Sequence, residues 1–182
     1  MTLRERLADI AETPWPSVDT LPGAATVAFI LWMLAEATFG NRWVPILDSA
    51  NLAFHEAGHP LVGILSSRLA VYGGTLFQLA IPAAATYAFW SRRHTLGFAL
   101  CLGWACENLL TVATYMGDAR AMQLPLVGGL DPADAHDWRE IFSRWGMLDL
   151  DTTWAGLNRL IAWAVGLGTC LWVLRRWQDG RE

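Results

Sequence analysis

Five stretches of this chain, at about residues 21–39, 44–65, 69–90, 95–117 and 153–174, are long and apolar. A helix needs about 20 such residues to cross a bilayer. Only 16% of the 182 residues are charged, well below the roughly one quarter of a soluble domain. A soluble fold would need a larger core than a chain of this length can enclose. The expected fold class is therefore all-α, a polytopic membrane helix bundle of about five transmembrane segments.

Residues 1–20 read as an N-terminal surface segment, and 21–182 as a single transmembrane domain. Arg4, Glu5, Arg6, Asp9 and Glu12 crowd the first part, where a signal peptide would carry an apolar core and a small-residue cleavage site. One long connection, residues 118–151, separates the fourth and fifth segments. Residues 123–130 read as irregular chain, and Asp131-Pro132 as a helix start, a cap followed by proline at the first helical position. That helix is expected to run to Gly146 with Trp138, Ile141, Phe142 and Trp145 on one face, as suits an amphipathic helix lying in the membrane interface. The net charge of −4, with Arg scattered rather than clustered, gives no nucleic-acid footprint. The partners expected are instead the lipid bilayer and whatever the polar residues within it bind.

Those polar residues begin with His55-Glu56-Ala57-Gly58-His59 in the second segment. Residues four apart share a helix face, so His55 and His59 can present two imidazoles to one metal ion. Glu56 can then reach a water on that ion and act as general base. Such a cluster costs several kcal/mol to bury in lipid and is rarely kept there without a task. In the fourth segment Glu107, Thr111, Thr114 and Asp118 recur at spacings of four, three and four, forming one polar stripe flanked by Asn108 and Tyr115. A catalytic zinc takes three protein ligands and leaves one position open. The third candidate ranked first is Asp118, which ends the stripe. His136, in Asp134-Ala-His-Asp-Trp138, ranks second and Glu107 third, as ligands or as groups behind the ligands. Gln78 and Asn108 are candidates for hydrogen-bonding a substrate backbone. Pro60 follows the second His and would bend the helix or loosen its hydrogen bonding there.

Phe54-His-Glu-Ala-Gly-His59 in an apolar helix resembles the site-2 protease family of intramembrane zinc metallopeptidases. Members carry a His-Glu-x-x-His helix, frequently with Gly before the second His, as Gly58 is here. The likeness is closest to short bacterial membrane proteins of this superfamily that lack accessory domains, and it is specific over about residues 51–63. It implies Zn2+ held by His55, His59 and a later Asp, with Asp118 the nearest match. It also implies Glu56 as the catalytic base, a transmembrane protein or peptide as substrate, and a multi-pass protein of the bacterial cytoplasmic membrane. The reading from another class is a metal-binding membrane protein without hydrolysis: a transporter, a sensor or a pseudoprotease.

Overall fold

The computed structural model describes residues 2–41, 43–126 and 135–181. Within them the chain forms seven α-helices and no strand: α1 Leu3–Glu12, α2 Thr20–Phe39, α3 Leu47–Gly63, α4 Ala70–Ser91, α5 Thr95–Gly117, α6 Asp137–Trp145 and α7 Asp151–Asp179. By length and composition four helical stretches could cross a membrane: Thr20–Phe39, Ser67–Ser91, Thr95–Gly117 and Leu148–Asp179. The second apolar segment differs from the other four. Its helix, α3, has 17 residues, about 25 Å at 1.5 Å per residue, and carries Asp48, His55, Glu56 and His59.

The helix α5 is the hub of the bundle, packed by α2, α4 and α7, while α3 lies along α4. One core joins Ile30, Met33 and Leu34 of α2 to Ala99, Cys106 and Leu110 of α5 and to Ala162 and Val173 of α7. Close approach rests on glycine: a Cβ at Gly103 would come within 2.8 Å of Ile30, and one at Gly166 within 2.5 Å of Leu34. Small residues let helices in lipid gain van der Waals contact where no hydrophobic drive exists. On the outside, Leu157, Leu160, Ile161, Leu171 and Leu174 of α7 are exposed, an apolar surface of the kind that lipid covers.

The N-terminal helix opens with a capping box between Thr2 and Glu5, which satisfies two free helix-end N–H groups. The strap after it is docked. Trp15 packs with its ring centroid 5.0 Å from Phe98, tilted, and 4.9 Å from Trp172, edge-on, and the Thr95 hydroxyl donates to the Pro16 carbonyl at 2.8 Å.

In the long connection, the expected helix start at Asp131-Pro132 lies outside the described residues. The described helix, α6, begins at Asp137 and stops at Gly146, whose φ of 66° provides the left-handed cap. Its apolar face is turned inward. Trp138, Ile141 and Phe142 are buried with Val112, Ala113 and Met116 of α5 and Ala155 of α7, whereas Trp145 is half exposed. Periodicity alone could not tell a face for lipid from a face for protein, since both are apolar.

Candidate metal centre

Two helices build the floor of the site. His55 and His59 are one turn apart on α3, and Gly58 between them rests on Gly73 of α4. A Cβ at either glycine would run into the backbone of the other, Gly58 O from one side and Gly73 O from the other. Backbone thus packs on backbone, and this closeness brings two carbonyl oxygens to the imidazoles. His59 Nδ1 lies 2.9 Å from the Ala70 carbonyl, and His55 Nδ1 lies 3.1 Å from Gln78 Oε1.

The proton positions follow from the partners. The Thr111 hydroxyl donates to the Asn108 carbonyl at 2.9 Å, so its oxygen is left to accept from Gln78 Nε2 at 3.2 Å. Gln78 therefore turns its oxygen, which can only accept, toward His55. Both imidazoles donate from Nδ1, and both turn Nε2 to the same place.

That place also receives a carboxylate. Asp137 Oδ2 lies 2.9 Å from His55 Nε2 and 3.3 Å from His59 Nε2. One ligand atom from each of His55, His59 and Asp137 falls within 4.8 Å of the others, a group that could hold a metal ion. Without an ion, an imidazole Nε2–H can donate to the Asp137 carboxylate. With both imidazoles neutral, the same position meets two lone pairs and a carboxylate oxygen, a set a cation can join. The oxygens that accept from Nδ1 are of the kind that metal-binding histidines ordinarily have behind them. Room for an ion comes from Gly74: a Cβ there would sit 2.5 Å from His55 Nε2 and 2.7 Å from His59 Nε2. The donor set fits a metal of zinc type, which takes imidazole and carboxylate together.

Asp137 reaches the site as the first residue of α6, with His136 as the cap before it. His136 Nδ1 accepts from the Arg139 N–H at 3.2 Å, and the Asp137 N–H donates to the Tyr115 hydroxyl at 2.9 Å. Burial alone would push the Asp137 carboxyl upward. Its contacts with His55 and His59 outweigh that and hold it below its ordinary value.

Among the described residues it is Asp137 that joins His55 and His59 in the group that could hold a metal ion, whereas Asp118, His136 and Glu107 are engaged elsewhere. The carboxylate of Asp118 folds back over the end of α5 to accept from the Gln123 and Leu124 N–H groups, both at 3.0 Å. His136 spends one nitrogen on its cap. Its other nitrogen lies 3.4 Å from Asp118 Oδ2, without the alignment of a hydrogen bond. Burial pushes the His136 imidazole down, against the pull of Asp118. Glu107 is fully buried beside Asn51, whose amide donates to it at 2.9 Å. Asn108 is held in that same cluster by Asn51, and Gln78 is engaged with His55 and Thr111, so both sequence-derived candidates for gripping substrate have partners of their own.

Asp137 carries a signal in the sequence. It sits in the same Asp134-Ala-His-Asp-Trp138 stretch that offered His136, and one residue of helix phase separates the two. Gly73-Gly74 carried a second signal, paired small residues in an otherwise bulky apolar helix.

Glu56 follows His55 on α3 and is exposed. The helix continues through Pro60 to Gly63. Pro60 has no N–H, so the Glu56 carbonyl is left without its usual helical donor. Beside the group lies a cavity of about 400 Å³, lined by His59, Asp137, His136, Arg139, Glu140 and Ser143. It is polar, and water can reach the ligands from that side. No family model, curated protein or solved structure matches this chain.

Proposed function

We propose that this chain is a membrane-embedded zinc metallopeptidase that hydrolyses peptide bonds of membrane-embedded substrates, similar in its working parts to the site-2 proteases. The observation that carries the reading is the convergence of His55 Nε2, His59 Nε2 and an Asp137 oxygen within 4.8 Å, with Glu56 next to the first His. The position of Asp137 is a departure from the family pattern, since it opens a short helix and is followed by Trp138. In this reading α3 enters the bilayer as a fifth segment, shielded by α4, and the protein resides in a bacterial cytoplasmic membrane.

When bound, the zinc would polarise the scissile carbonyl and acidify water. The chain's residues do the rest. Gln78 and the Ala70 carbonyl fix the two imidazoles, Asp137 supplies the anionic ligand, and the polar cavity admits water. The Glu56 carboxylate accepts a proton from the attacking water and returns it to the leaving amine. A helical substrate must unwind first, because its own hydrogen bonds cover the scissile carbonyl.

The test is metal analysis of the protein purified in detergent, followed by mass spectrometry of a panel of single-span peptides incubated with it. The expected result is about one zinc per chain, lost in His55→Ala and His59→Ala. Glu56→Gln should keep the zinc and yield no peptide products. Zinc content unchanged in both His variants would remove the metal centre. Zinc without cleavage of any peptide would favour the sensor, transporter or pseudoprotease instead.

A further inference from the structure

A cluster of deeply buried polar groups lies away from the metal centre, where α3 meets α5. Asp48, Asn51, Glu107 and Asn108 are each at most 4% exposed. A single donor bridges the two carboxyl groups: Asn51 Nδ2 lies 2.9 Å from Glu107 Oε2 and 3.4 Å from Asp48 Oδ1. The other Asp48 oxygen accepts from the Val44 N–H. The Asn51 oxygen is taken by Trp104 Nε1 at 2.8 Å and by Asn108 Nδ2 at 3.2 Å. Glu107 Oε1, sealed from solvent, has no hydrogen-bond partner among the described residues.

No described cation faces this pair. The helix α4 carries no charged residue. Glu36, the one charge of α2, is turned to the Asn41 N–H beyond its own helix end. On α7, Arg159 comes near Gly117, ten residues along α5 from Glu107, and Asp151 is paired with Arg120. Arg175, Arg176 and Asp179 lie at the far end of α7. On α3 itself the other titratable groups, His55, Glu56 and His59, begin seven residues beyond Asp48. Two ionised carboxylates in such a place repel each other at low dielectric with nothing to offset them. A proton between them removes the repulsion and gives Glu107 Oε1 its missing hydrogen. A metal cation fits poorly, because hard cations need about six oxygens and most oxygens here already accept from N–H groups.

We propose that Asp48 and Glu107 form a proton-binding site, in which the pair holds one proton at neutral pH and that proton ties α3 to α5. Asp48, Asn51 and His55 follow at spacings of three and four on one face of α3, so the clasp also fixes the face that bears the imidazoles. The inference is independent of whether a metal binds.

The test is infrared difference spectroscopy on metal-free protein in D2O at neutral pH. The wild type should show the C=O stretch of a protonated carboxyl that is missing from the Asp48→Asn/Glu107→Gln double variant. The single variants then assign the carrier. A band absent from the wild type, or retained in the double variant, overturns the proposal. Should the double variant fail to fold, thermal unfolding of Glu107→Gln, the neutral isostere, decides. The native pair holds a proton that an unfolded chain releases above about pH 4.5. Wild-type stability must therefore fall as pH rises toward alkaline values, whereas Glu107→Gln must lack that slope. Equal slopes reject the idea.

Discussion

Gly74→Ala tests the metal centre without touching a ligand. The new methyl would lie 2.5 Å from His55 Nε2, 2.6 Å from His55 Cε1 and 2.7 Å from His59 Nε2. Ordinary contact between such atoms is about 3.5 Å, so the imidazoles would have to retreat by roughly 1 Å. The backbones of α3 and α4 cannot separate cheaply, because Gly58 and Gly73 are already in contact. A metal tolerates ligand errors of about 0.2 Å, and zinc sits about 2.0–2.1 Å from each nitrogen, where the methyl intrudes. We expect zinc affinity to fall by at least about 100-fold, or about 2.8 kcal/mol at 1.4 kcal/mol per decade. Overpacking should cost a further ~1–3 kcal/mol of stability. Competition against a chromophoric chelator reads the first effect and thermal unfolding of metal-free protein the second. Gly156→Ala, where a Cβ meets nothing within 4 Å, is the control: it should leave zinc affinity unchanged and should not lower stability. Zinc binding by Gly74→Ala within about threefold of wild type would refute the geometry, since a displacement of this size costs far more.

Two further outcomes discriminate among the carboxylates. Asp137→Asn should lower zinc occupancy at limiting metal far more than Asp118→Asn or His136→Ala, because loss of a residue behind the ligands costs only about 10- to 100-fold; the reverse order would return the third position to the end of α5. In metal-free protein the Asp137 carboxyl is held below its ordinary value of 3.8 by His55 and His59. Its contribution to stability is present above about pH 4 and disappears as pH falls through the lower folded value. The acid limb of wild-type thermal stability should therefore be steeper than that of Asp137→Asn, and equally steep limbs would contradict this pairing.

The apolar segments, the helical class and the His55–His59 face were legible because each depends on local periodicity: about 20 apolar residues for a span, and 3.6 residues per turn for a shared face. The buried carboxylate in the fourth segment was legible as an anomaly, since Glu107 has no local reason to lie in an apolar helix. Its partner was not, because Asn51 is 56 residues away in sequence. The third candidate ligand lay beyond the same horizon. His136 and Asp137 differ by one residue, and which of them meets α3 depends on where α6 starts and on how Trp138, Ile141 and Phe142 pack against α5 and α7. Sequence by itself determined a membrane-type helical chain with two imidazoles on one face. Only the tertiary structure decided that Gly58 and Gly73 would touch, that Gln78 and Ala70 would orient the rings, and that Asp137 would complete the group. Helix formation is governed by bonds four residues apart, whereas a metal site is assembled by packing between helices that no local pattern encodes.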